Sequence, residues 1–116
     1  MNRSRPVKNK VIIPFNPEIR LAVEHLRLIA KGQTGKIFWR PHAKEQMAKR
    51  GIYMRDALRV LEIGQPIISH KGKRKGEIEI KMAFKPSGMR EIAVVTALVT
   101  SKGIARVITV MWKDEV

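Results

Sequence analysis

The chain has 116 residues, 44% hydrophobic and only 5% aromatic, with 24 Lys plus Arg against 10 Asp plus Glu for a formal net charge of +14. Its length suits one domain around a single, mostly aliphatic core, and the absence of cysteine excludes disulfides, thiolate zinc sites and cysteine nucleophiles. The charge draws polyanions: RNA or DNA first, an acidic protein second, and an anionic membrane last, since no basic amphipathic helix is evident.

Residues 1–15 open as a basic arm. Arg3, Arg5, Lys8 and Lys10 follow no helical or strand period and suit extra phosphate contacts. The short apolar run Val11 to Ile13 stops at Pro14, far short of a signal-peptide core, and no transmembrane span follows, so a cytoplasmic protein is expected. Asn16 as cap, Pro17 as first helical residue and Glu18 in the first turn begin a helix. Ile19, Ala22, Val23, Leu26, Ile29 and Ala30 then recur at helical spacing until Gly32 ends it, with His25 off that face. Residues 33–39 are expected to form a loop carrying G-K-I-F-W, with a short edge strand as the alternative. There Phe38 and Trp39 either pack on the core or stack on a base. Gln33-Thr34-Gly35-Lys36 lacks the spacing, and the following Ser or Thr, of a nucleotide-phosphate loop.

The stretch R-P-H-A-K-E-Q-M-A-K-R-G-I, from Arg40 to Ile52, predicts a second short helix. Pro41 has its φ preset and no N–H, which suits a first helical position, and Gly51 can take the left-handed conformation that ends a helix. Ala43 and Met47 make a narrow apolar stripe. His42, Gln46 and Arg50 are also spaced by four and share an adjacent face, aligning a proton-exchanging group with an amide and a permanent cation. Lys49 adds to the basic surface. A third helix is expected over residues 54–63, with Met54, Ala57, Leu58 and Leu61 on one face, Gly64 at its end, and Tyr53 as a poor cap. Arg55 and Arg59 lie on its exposed side.

From Pro66 the period changes to two. A short strand at 67–70 runs into the basic turn K-G-K-R-K-G, whose Lys71, Lys73, Arg74 and Lys75 suit phosphate docking. The strand at 77–84 sends Ile78, Ile80, Met82 and Phe84 inward and Glu77, Glu79 and Lys81 outward. After the turn Lys85-Pro86-Ser87-Gly88, residues 91–100 form the nearly continuous apolar run of a central strand. Ser101-Lys102-Gly103 suits a tight hairpin, and 104–112 is the last strand. The expectation is a single α+β domain over residues 16–116, three helices followed by a four-stranded antiparallel sheet.

His42-Ala43, Met47 and Arg50-Gly51-Ile52 resemble the hallmark of a small bacterial and phage domain family. In that family a His-Ala-x-x-Arg-Met-x-x-Arg-Gly-Ile helix precedes a second helix and an antiparallel sheet. The family itself resembles RelE-like and MqsR-like toxin endoribonucleases. L-R-V-L-E-I-G at 58–64 and V-I-T-V-M-W at 107–112 fit its later elements, so the resemblance covers residues 40–113. Gln46 stands where the family often has Arg, so a phosphate contact made there in relatives is weakened or moved here. The resemblance implies a RelE- or barnase-like fold, RNA as substrate and an acidic antitoxin as partner.

The residues point away from metal and hydrolase-triad chemistry. The three histidines are widely separated, no His-x-x-x-His or paired acidic motif occurs, and no serine sits in a nucleophile elbow. No cofactor is expected. RNA cleavage needs none, because the 2′-hydroxyl is the nucleophile. The enzyme supplies a base, an acid and cations for the crowded phosphorane. His42 is the candidate base or acid, with Gln46 beside it, and Arg50 the candidate bidentate phosphate ligand. Among the strand-region cations Lys71, Lys73, Lys81, Lys85 and Arg90, the preferred two are Lys81, outward from a regular strand, and Arg90, at the start of the central one. His70, beside the basic turn, is a possible phosphate contact. Three functions fit: a toxin-type, metal-independent endoribonuclease, a nucleic-acid-binding module without chemistry, and an interaction domain for an acidic protein.

Overall fold

Helix α1 (Pro17–Gly32) turns Ile19, Ala22, Val23, Leu26, Ile29 and Ala30 into the protein, the positions its helical period singles out. It opens the part of the chain that the computed structural model describes, residues 17–86, 88 and 90–115. The arm expected at 1–15, and Asn16, lie outside the described residues. A 3-10 turn at Thr34–Lys36 leads into β1 (Ile37–Trp39), then α2 (Pro41–Arg50) and α3 (Met54–Ile63). Helix α2 starts on Pro41 and stops where Gly51 becomes left-handed at φ 70°, its N–H bonding the Met47 carbonyl. Helix α3 has no side-chain cap at Tyr53 and is held by its buried face, Ala57, Val60 and Leu61. At Gly64 a Cβ would stand 2.4 Å from the Val60 carbonyl oxygen and 2.7 Å from that of Ala83. Glycine there lets the helix end touch the sheet.

Strands β2 (Gln65–Lys71), β3 (Glu77–Phe84), β4 (Ile92–Val99) and β5 (Ile104–Trp112) form the antiparallel meander that the alternation predicts. Strand β4 is central in the order β1-β5-β4-β3-β2 and is buried on both faces. The expectation of four antiparallel strands is corrected at the other edge. Ile37–Trp39 pairs in parallel with β5, Phe38 opposite Arg106, and makes a five-stranded mixed sheet. Three residues are too few for alternation to show, and parallel pairing with a strand far along the sequence leaves no local signature.

Helix α3 packs on β3 and β4, α1 on α3 and β5, and α2 along β5. Ile80, Met82, Ile92, Val94, Leu98, Val107 and Val110 join these helices in one core, each large side chain contributing about 1.5–3 kcal/mol by leaving water. No described helix is long and apolar enough to cross a membrane. The opposite face of the sheet, left open by the described helices, holds a second correction. Glu77, expected to face solvent, is only 6% exposed. Arg106 on β5 reaches past Ala97 of β4 to pair with it, and Gly72 closes over it, where a Cβ would meet that of Glu77 at 2.5 Å.

Candidate functional site

Strand β1 covers β5 only opposite Ala105–Val107, so beyond that point the outer edge of β5 needs other partners. The chain turns at Arg40, whose N–H donates to the Val107 carbonyl at 3.1 Å, and α2 continues along the edge. Alternate N–H groups of a strand point the same way, and here those of Val110 and Trp112 meet side chains. Gln46 Oε1 accepts from the Val110 N–H at 3.0 Å. Glu115 Oε1 accepts from the Trp112 N–H at 2.8 Å. Arg50 Nε in turn reaches both Glu115 oxygens, at 2.7 and 2.9 Å. The Arg50 hydrogen bond holds the Glu115 carboxyl below its ordinary value of 4.5. The Trp112 N–H adds to this and partial desolvation opposes it.

The same contacts settle the state of His42. With Gln46 Oε1 taken by Val110, the amide nitrogen of Gln46 faces His42 Nε2, 3.0 Å away. An amide NH₂ only donates, so Nε2 accepts and the network assigns the ring proton to Nδ1. His42 thus offers an N–H donor, while its lone pair is turned to Gln46.

A second cluster stands on the open face. Pairing of β2 with β3 sets His70 opposite Glu79 and Ile68 opposite Lys81, and these four with Val95 line a cleft of about 200 Å³. His70 Nδ1 lies 2.8 Å from the Lys71 carbonyl oxygen, which can only accept, so the ring proton is again on Nδ1. Here, however, no amide donor among the described residues covers Nε2. It stands 3.5 Å from Glu79 Oε1, on a carboxylate side chain only 16% exposed. A proton arriving at Nε2 would make an imidazolium facing that carboxylate. Lys81 has no carboxylate partner among the described residues. Past Gly72, the turn that follows His70 and Lys71 carries the exposed Lys73, Arg74 and Lys75. Among the described residues no three His, Asp or Glu side chains gather as metal ligands would.

A family described as a domain of unknown function, DUF4258, matches residues 39–112, well over half of the chain. The chain belongs to the DUF4258 family. No curated protein and no solved structure matches it. The DUF4258 region takes in α2, α3 and β2 to β5, and so both histidine clusters, while α1, Asp114 and Glu115 fall outside it.

Within the DUF4258 region the five residues expected to carry chemistry do not form one centre. His42, Gln46 and Arg50 share the β5 edge. Arg90 joins its far end, stacked 4.7 Å over the Trp112 ring and bound to Asp114 at 2.6 Å. Lys81 lies two strands from β5, beside His70. Lys49 and Arg55 are exposed, Arg55 with its guanidinium 5.4 Å from the Tyr53 ring centre. The sequence reading missed the partners: Glu79 for His70, Glu115 for Arg50 and Arg106 for Glu77. None of these could be counted from the sequence: stepping outward from Gly72 and Gly76 sets position 70 opposite 78, one residue off the observed pairing of His70 with Glu79.

Proposed function

We propose that this DUF4258 protein is a cytoplasmic, metal-independent endoribonuclease of the toxin type, acting on RNA laid across the open face of the sheet. The observation that carries this reading is the state of His70. Its Nδ1 proton is anchored on the Lys71 carbonyl, its Nε2 is able to accept a proton, and Glu79 and Lys81 flank it. In the reaction Nε2 takes the proton of the 2′-hydroxyl, and Glu79 stabilises the imidazolium that forms. The 2′-oxygen attacks phosphorus while the Lys81 ammonium neutralises the phosphorane. The 5′-oxygen leaves with a proton from solvent, giving a 2′,3′-cyclic phosphate and a 5′-hydroxyl. Lys71, Lys73, Arg74 and Lys75 hold the flanking phosphates, and the His42 Nδ1–H serves as a donor to phosphate along α2.

The resemblance of the family to RelE-like and MqsR-like toxins, which implies a RelE- or barnase-like fold, supports the same reading. An acidic antitoxin is the partner that would compete with RNA for a surface of this charge. The second reading, a nucleic-acid-binding module without chemistry, is favoured by the exposed Lys-rich turn, which can dock phosphates without any reactive group.

The test is cleavage of total RNA, and of mRNA on translating ribosomes, in EDTA by wild type and the His70→Ala, Lys81→Ala and His42→Ala variants. The expected result is 2′,3′-cyclic ends from wild type and a fall of about 10²–10⁴ in rate for His70→Ala. Cleavage that survives His70→Ala and disappears with His42→Ala would move the chemistry to α2. Intact RNA on and off the ribosome, bound in a salt-sensitive manner, would leave only the binding module.

A further inference from the structure

At the end of β5, Trp112 packs against the core and the Arg90 guanidinium lies 4.7 Å over its ring. Stacking fixes the plane of the guanidinium. It stands in a cleft of about 590 Å³ that Lys85, Glu91, Lys113 and Asp114 also line. Asp114 Oδ1 accepts from Arg90 Nη2 at 2.6 Å, yet the two side chains are 68% and 55% exposed. Water and salt screen such a pair, so it holds weakly. Lys113 faces Glu91 at 3.5 Å, and Lys85 has no carboxylate partner among the described residues.

The backbone beneath does not depend on Asp114. The Lys113 N–H bonds the Glu91 carbonyl at 2.8 Å, and Glu115 is fixed by Arg50 and the Trp112 N–H. Asp114 is therefore a loose counter-ion on a firmly held turn, with a pre-oriented arginine fork beneath it.

We infer that this cleft is a phosphate-binding site for an RNA strand, in which Asp114 occupies the place of a phosphate on Arg90 until RNA displaces it. A phosphodiester offers Arg90 two oxygens in the spacing of its fork where Asp114 engages through one. Lys85 and Lys113 supply charge for the neighbouring phosphates. The site rests on the reading that this chain binds RNA. It is separate from the His70 cleft, and its gating carboxylate lies outside the DUF4258 match.

Pyrophosphate is the first probe, followed in the full chain through the Trp112 indole and Arg90 Nε resonances. A short single-stranded RNA is the second. Pyrophosphate should shift both signals. Asp114→Asn should tighten both ligands by about two- to fivefold. Arg90→Gln should abolish the pyrophosphate response and lower the slope of log K against log salt for RNA by about one. Resonances unmoved in wild type and in Asp114→Asn, or weaker binding by Asp114→Asn, would overturn the site. The two proposals fail separately: these responses without RNA cleavage would count against the ribonuclease alone, and cleavage without them against the cleft alone.

Discussion

Along the outer edge of β5, the polar side chains of α2 and the following turn are engaged with backbone. Gln46 and Glu115 satisfy the Val110 and Trp112 N–H groups, and Arg50 holds Glu115 in place. On the β2–β3 face the polar groups instead meet one another across strands, His70 with Glu79 and Glu77 with Arg106. The difference follows from hydrogen-bond supply. An edge strand has orphan donors that draw in any acceptor nearby, and a side chain so engaged is rigid but committed. Strand β3, which carries Glu77 and Glu79, has a neighbour on each side and its backbone groups paired, so its side chains are left to meet charges across strands, Arg106 on β5 and His70 on the edge strand β2.

The largest expected effect lies on the sheet face. Glu77→Ala leaves the part-buried Arg106 without its partner and should cost about 2–4 kcal/mol in urea unfolding, whereas replacing both residues by leucine should recover most of that. A loss too small to measure in the single variant would mean that Arg106 finds water, and the contrast with the β5 edge would weaken.

At that edge Gln46→Ala orphans the Val110 N–H and should cost about 1–3 kcal/mol. Gln46→Glu keeps an acceptor for Val110 and should stay near wild-type stability. It also gives His42 a carboxylate to donate to, so imidazole ¹⁵N shifts should report the proton moving from Nδ1 to Nε2. An unchanged tautomer would show that Gln46 does not set it.

The smallest effect is the pH dependence at Glu115. Its folded pKa is lowered, so the unfolded chain binds the proton first. The stabilisation is fully present above the ordinary value of 4.5 and is lost as pH falls through the lower folded value. Thermal midpoints between about pH 5 and pH 2 should therefore fall more steeply for wild type than for Glu115→Gln. Parallel curves would argue that the Arg50 clamp adds nothing to the edge.

Periodicity explains what could be read from the residues alone. The buried face of α1, the Pro41 and Gly51 limits of α2 and the doubly buried β4 each repeat a local pattern. The common face of His42, Gln46 and Arg50 was legible for the same reason. What those residues touch was not, because Val110, Trp112 and Glu115 reach them only through a parallel strand pairing that leaves no trace in any short window. Glu77 looked like solvent-facing polarity because its burial depends on Arg106 two strands away, with the small side chain of Ala97 giving it passage.

The parallel pairing of β1 with β5 also sets an order of events during synthesis. Strand β1 and α2 emerge from a ribosome well before residues 104–112, so β1 waits for a distant partner, and closing so long a loop is slow relative to helix formation and hairpin closure. Until then Gln46 has no Val110 to hold and Arg50 no Glu115. The nascent chain carries its α2 side chains past the ribosome unanchored, and they take up their places only once β5 has been made.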